Sequence, residues 1–144
     1  MRRIYVASSW RNQYQQEVVS VLRRHGNRVF DFRNPNPGNH GFHWSEIDTD
    51  WETWSPQDFR KSLNHPIADS GYLSDFEAMK WADTCVLVLP CGHSAHLEAG
   101  WFAGAKKETY ILMFEPGGPE LMYKMATKIC VSLDELIIAL KEVT

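Results

Sequence analysis

Glu98 stands a few residues past an abrupt change in the chain. An apolar run from Cys85 to Leu89 stops at Pro90-Cys91-Gly92, and a segment with helical spacing follows. That is the pattern of a strand, a tight turn and a helix N-terminus. In open α/β sheets ligands bind at the carboxyl ends of the strands, where such turns lie. A glutamate in the first turns of that helix is favoured in its ionised form by the positive end of the helix dipole. An ionised carboxylate facing a crevice can serve as a nucleophile or a base. The same position also suits an ordinary first-turn helix carboxylate.

Two other groups fall at the same predicted edge. Ser74 and Glu77 have capping-box spacing, which predicts a helix from about Ser74 to Ala82 with Asp75 in its first turn. Each crossover helix runs antiparallel to the strands, so Asp75 is expected to join Glu98. Asp83, at the other end of that helix, lies about 12 Å away and is expected to fix the turn into the next strand. Ser8-Ser9-Trp10-Arg11-Asn12 leaves the first strand, Ile4–Ala7, and opens a helix over Asn12–His25. Hydroxyls, backbone N–H groups and a guanidinium at a helix N-terminus make an anion or phosphate site. A serine N-cap beside an exposed arginine is the plainer alternative. Glu98, Asp75, Tyr5, Ser9 and Arg11 together suit a glycosidic bond next to a flat base. In retaining glycoside chemistry one carboxylate attacks the anomeric carbon and a second group handles the leaving group's proton.

The elements that must position these residues alternate. Strands are expected at Ile4–Ala7, Arg28–Phe32, Cys85–Leu89, Tyr110–Phe114 and Ile129–Val131. Helices are expected between them, with a short one over Ser55–Leu63, others from Ser94 to Ala105 and after Pro119, and a last one opened by a Ser132/Glu135 capping box. This alternation predicts an α/β fold, a flavodoxin-like or Rossmann-like three-layer sandwich with a five-stranded, mainly parallel sheet in one domain over residues 1–144. No GxGxxG follows strand one, so the dinucleotide fingerprint is missing. Residues 33–56 read as a long loop rich in Asn, Pro, Gly, His and Trp, with His40 and His43 expected to face solvent. Three of the chain's six tryptophans (Trp44, Trp51, Trp54) fall within it. Loops of that length are usually functional or disordered, and the tryptophans argue against disorder. They are read either as a stacking surface for substrate or as a satellite cluster pinning the loop.

The segments IYVASSWR, SDFEAMKWADTCVLVLP and HSAHLEAGWFAGAKK together resemble the nucleoside 2-deoxyribosyltransferase-like superfamily, which includes 2′-deoxynucleoside 5′-phosphate N-hydrolases and CMP hydrolases. The similarity covers nearly the whole chain. It implies a flavodoxin-like sheet, a homodimer, and a glutamate nucleophile that forms a glycosyl-enzyme ester. Glu98 falls on the nucleophile, Asp75 on the aspartate that assists at base and sugar, and Tyr5 on the tyrosine that contacts the nucleophile. Ser9 and Arg11 match the Ser-x-Arg that holds a 5′-phosphate. Gly92 and Ser94 belong to the same substrate-binding set, and Trp10, Phe42 and Trp44 are candidates to line the base pocket. The family's G-x-G-x-E is replaced here by His93-Ser94-Ala95-His96-Leu97-Glu98, so His96 either narrows the phosphate pocket or binds the phosphate itself. The family completes its site with a late segment of the partner chain, and residues 122–125 are the candidate.

Other readings stay open. Cys91, His93, His96 and Glu98 are potential metal ligands by type, although the spacing fits no standard site. Cys91 beside a helix N-terminus is a possible nucleophile or a small buried residue. An NAD-cleaving enzyme and a nucleotide sensor without turnover are the functional alternatives. The expected chemistry needs no cofactor and acts on a small-molecule nucleotide or nucleoside. The formal net charge of −3 gives no broad pull toward nucleic acid or anionic membranes. No apolar run approaches the roughly 20 residues that span a bilayer. Met1-Arg2-Arg3 leads directly into a strand with no signal-peptide core. The three cysteines form no CxxC, and a reduced, cytoplasmic setting is expected.

Overall fold

Five strands form one sheet: β1 (Arg3–Ala7), β2 (Arg28–Asp31), β3 (Thr84–Val88), β4 (Glu108–Leu112) and β5 (Lys128–Cys130). Every pairing is parallel, and the order is β2-β1-β3-β4-β5. The computed structural model describes residues 1–142, so the last two positions of the expected 1–144 domain lie outside it. The chain divides into two compact units, Met1–Asp31 with the chain from Trp81 onward, and Phe32–Lys80.

In the first unit the sheet is covered on both faces, as a parallel sheet requires. Side chains alternate across a strand. Ile4 and Val6 of β1, with Val86, Val88, Tyr110 and Leu112, pack with helices α1 (Gln15–Arg24) and α5 (Leu133–Lys141). Tyr5, between Ile4 and Val6, points to the other face. There its ring meets Phe102 of helix α4 (His93–Gly104) at 5.6 Å between centroids. The result is the expected three-layer α/β arrangement with the flavodoxin-like strand order. Its switch point lies between the ends of β1 and β3.

The second unit contains two one-turn 3-10 helices (Trp44–Glu46 and Trp51–Thr53), helix α2 (Pro56–Ser62) and most of helix α3 (Pro66–Trp81). Ser55 caps α2 through a full capping box with Asp58. Trp44 is the centre of an aromatic cluster with Phe42, Trp54 and Phe59, at centroid distances of 4.7, 5.6 and 5.7 Å. The indole N–H of Trp54 donates to Asp48 at 2.8 Å. This is the satellite-cluster arrangement, in which the loop is pinned to Phe59 of α2.

Two expected helix starts are corrected. Helix α3 begins at Pro66, eight residues before Ser74. Proline suits a first helical position, and the His65 ring accepts from the Ile67 N–H at 3.1 Å, in the manner of a cap. Ser74 and Glu77 are therefore interior residues, and Asp75 is the tenth residue of α3 rather than a first-turn one. Helix α1 begins at Gln15 rather than Asn12. Asn12 is buried with its amide donating to the carbonyls of Val88 (3.3 Å) and Pro90 (3.0 Å), and its Oδ1 accepts from Tyr14 N–H. An asparagine so committed favours a turn over a helix.

Candidate active site

Loop Ser8–Asn12 leaves β1 and loop Leu89–Gly92 leaves β3, side by side at the switch point. The two are tied together. Ser8 Oγ donates to Val88 O at 2.9 Å, and Gly92 N–H donates to Ser9 Oγ at 2.6 Å. A Cβ on Gly92 would meet Ser9 Oγ at 3.4 Å, so the loops approach closely at a residue without a side chain. Gly92 is the N-cap of α4 with no capping side chain of its own.

Glu98 lies six residues into α4, and no acidic residue occupies the first turn. Glu98 stands within the first turns, as expected, but in the second of them, where the dipole contributes less. A different feature holds the carboxylate. It shares the sheet-facing side of α4 with Ala95 and Phe102, and the Tyr5 hydroxyl donates to its Oε2. The Tyr5 ring is fully buried, stacked on Phe30 at 5.3 Å, which fixes the direction of the hydroxyl. Glu98 itself is half-buried. Its negative charge reaches the neighbouring thiols. Burial, then the charge of Glu98, pushes Cys91 up to about 12, and the same two causes raise Cys85. A thiol so raised stays protonated near neutral pH, so the environment opposes Cys91 as a nucleophile.

Ser9 is half-buried, Arg11 and Ser94 are exposed, and Trp10 is 41% exposed. Because α1 starts later than expected, Ser9 and Arg11 stand on a turn rather than a helix N-terminus. His96 is engaged within the protein, its Nδ1 with Gly92 O and its Nε2 with the Tyr123 hydroxyl, both at 2.8 Å. Nothing in the sequence distinguishes Tyr123 from its neighbours in the segment 122–125. Among the described residues no three His, Cys, Asp or Glu side chains converge to hold a metal ion. Asp83 accepts from the Arg3 backbone N–H and from Thr84 Oγ1, the turn-fixing role expected of it.

Asp75 belongs to the second unit. It lines a cavity of about 370 Å³ there with Phe42, Asn39, Ser70 and Ser74. Burial raises its carboxyl from an ordinary 3.8 to about 6. Phe42 is held flush against Gly71, where an added Cβ would approach the Phe42 Cβ to 3.0 Å and the ring carbons Cγ and Cδ2 to 3.1 Å. Trp44 is turned into the aromatic cluster beside this cavity rather than lining it.

The sequence matches no protein-family model and no curated protein. Among solved structures, a 2-deoxyribosyltransferase from Bacillus psychrosaccharolyticus is similar at TM-score 0.62 and 20% identity, over 93% of this chain and 89% of that one. A CMP N-glycosidase from Clostridium botulinum is similar at TM-score 0.53 and 14% identity, over 98% and 100%. The chain shares their fold. A conserved protein from Enterococcus faecalis matches at TM-score 0.61 and 14% identity over 98% of both chains. Identities this low carry the architecture, and the chemistry must be argued from the residues.

Proposed function

We propose that this chain cleaves the N-glycosidic bond of a nucleotide or nucleoside through a covalent intermediate on Glu98. The observation that carries the reading is the hydrogen bond from the buried Tyr5 hydroxyl to the half-buried Glu98 carboxylate, beside the switch point of the sheet. It fixes the direction of the carboxylate that is to act as nucleophile. In the reaction that oxygen bonds to C1′ of the sugar, the C1′–N bond breaks, and its electron pair leaves with the base. Water or a second base then displaces the glutamate and restores the carboxylate. The fold shared with a 2-deoxyribosyltransferase and a CMP N-glycosidase supports the reaction class.

Asp75 takes the part the resemblance gives it, assisting departure of the base. A carboxyl raised to about 6 keeps its proton in mildly acidic solution, as a group that donates to a leaving nitrogen needs to. Ser9, Arg11, Gly92 and Ser94 receive the 5′-phosphate or hydroxyl, with Trp10 and Phe42 toward the base. No cofactor enters the chemistry. The proposal also takes the working form as a cytoplasmic homodimer. The exposed Leu121, Met122 and Met125 on the late segment are apolar surface suited to a partner chain.

The test is a panel of nucleosides and 5′-monophosphates, with free base separated by chromatography. Base release is expected with at least one of them and should fall about a thousandfold or more in Glu98→Ala. Release that is unchanged in Glu98→Ala, or tight binding with no release by the native chain, defeats the proposal. Light scattering on the eluting protein decides between monomer and dimer.

A further inference from the structure

The loop that follows β4 carries the one-turn 3-10 helix Leu121–Met125 back to the start of α4. Contact is made through His96. Its ring stacks on Tyr123 at 5.8 Å between centroids and 16° between planes. His96 Nδ1 lies 2.8 Å from the Gly92 carbonyl oxygen. A carbonyl only accepts, so Nδ1 carries the proton. In the neutral ring Nε2 is then the acceptor and the Tyr123 hydroxyl donates to it at 2.8 Å. Gly92 in turn donates its own N–H to Ser9 Oγ at 2.6 Å.

Gly92 is therefore gripped at both ends, its carbonyl by the ring of His96 and its N–H by Ser9. The helical backbone bond to the same carbonyl, from His96 N–H, is long at 3.4 Å. The imidazole supplies the shorter of the two bonds at the point where α4 starts. Both ring nitrogens are spent inside the protein, which leaves the ring no nitrogen to offer a phosphate in this arrangement.

We infer that His96 and Tyr123 are positioning residues, which fix Gly92 and through it hold the Ser9 oxygen where a substrate's 5′ group is bound. This rests on the proposed role of Ser9 as a ligand of that group. The relay links the loop after β4 to the loop after β1 through the N-cap of α4. Its effect falls on binding of a 5′-phosphate, where the oxygen must be placed accurately, and little on the chemical step at Glu98, which Tyr5 holds independently.

Two measurements on His96→Ala, His96→Asn and Tyr123→Phe test this. The first is hydrogen exchange at the Gly92 amide by NMR, which needs no turnover. It should accelerate about tenfold in His96→Ala and less in His96→Asn, whose amide nitrogen takes the place of Nδ1. Unchanged exchange in His96→Ala overturns the relay whatever the enzyme does. The second is kinetics with a 5′-monophosphate and its parent nucleoside, with Ser9→Ala as the reference. In Tyr123→Phe and His96→Ala, KM for the monophosphate should rise about tenfold, while kcat and KM for the nucleoside stay within about twofold. His96→Asn should recover part of the loss. Equal effects on both substrates, or a fall confined to kcat, contradict a positioning role. If Ser9→Ala itself fails to separate the substrates, the phosphate reading of Ser9 falls and the positioning role with it, while the exchange data still report the relay. If Ser9→Ala separates them and His96→Ala does not, the positioning claim alone is wrong. Circular dichroism on each variant identifies any that fails to fold, and Tyr123→Phe, which removes one oxygen, then carries the test.

Discussion

The Tyr5 hydroxyl does for Glu98 what a first-turn position would have done less directly. An oriented donor on a buried, stacked ring holds the carboxylate in one direction. Tyr5→Phe removes that donor and leaves the stacked ring. Its kcat for base release is expected to fall about 10- to 100-fold with little change in stability, and a fall of less than threefold would show that the bond is incidental. Asp75 gives a prediction with a definite sign. Burial makes its charged form costly, so its carboxyl is raised from 3.8 in the open chain to about 6 in the folded one. Between those values the folded protein holds the extra proton, and stability declines as pH rises through that window. A rise of about two pH units at ~1.4 kcal/mol each is worth up to about 3 kcal/mol above pH 6. Asp75→Asn should therefore be more stable than the native chain by about 2–3 kcal/mol at pH 7.5 and nearly equal to it at pH 3, as read from urea midpoints at the two pH values. The same variant should lose base release. A variant less stable at pH 7.5 means that the carboxylate is paid back by contacts the burial argument ignores.

Element boundaries were legible where a local signal matched the tertiary outcome and misleading where it did not. The Ser132–Glu135 signal did its work: Ser132 caps α5 by accepting from Glu135 N–H at 3.1 Å. The identical spacing at Ser74–Glu77 sits in mid-helix, because Pro66 and the His65 ring had already started α3. A capping box is a local bond pattern, and a helix that begins upstream uses up the N–H groups it would have satisfied. The start of α1 was missed for a related reason. Asn12 serves β3 and the loop after it, a long-range commitment that no neighbouring residue announces. Glu98 was legible from the strand, turn and helix around it, and the resemblance added its pairing with Tyr5. The His96–Tyr123 link was not, since 27 positions separate the two. At this scale Gly71 is the sharpest test. Alanine there forces the Phe42 ring to move by several tenths of an ångström or strains α3. Gly71→Ala is expected to lose about 1–3 kcal/mol in spite of alanine's better helix propensity, and a gain in melting temperature would refute the close-packing argument.

For the whole molecule, the parallel sheet followed from the alternation of strands and helices, because parallel neighbours need a crossover between them, while the choice between a flavodoxin-like and a Rossmann-like order came only with the structure. What closes the opposite end of the sheet from the site was invisible in the sequence. Arg2, which in the sequence only precedes the first strand, crosses that end as a clamp. Its Nε donates to Leu140 O at 2.8 Å, and one terminal nitrogen reaches Glu108 and Thr84 Oγ1 while the other reaches Glu142 O. Its side chain is only 16% exposed and that of Glu108 24%, with the guanidinium 5.9 Å from the Tyr110 ring centroid. One side chain thus joins β3, β4 and the end of α5, elements about 80 to 140 residues from it in sequence. Surface ion pairs contribute little, whereas breaking a pair this shielded removes the guanidinium from the Glu108 carboxylate, which keeps the Tyr110 hydroxyl, and takes a donor from Thr84 Oγ1 and from the carbonyls of Leu140 and Glu142. Arg2→Met keeps the apolar stem and removes the fork, and about 2–3 kcal/mol should be lost. For a chain of this size that is a fall of roughly 5–10 °C in melting temperature. Glu108→Gln should cost less, since an amide oxygen still accepts from the guanidinium. In the double variant the two losses should fall short of their sum, because the Arg2–Glu108 bond is counted in each. Strict additivity would mean that the clamp works through the α5 carbonyls alone. A loss below about 0.5 kcal/mol for Arg2→Met would mean that the sheet end is held by apolar packing of Leu136 and Leu140, with Arg2 merely resting on it.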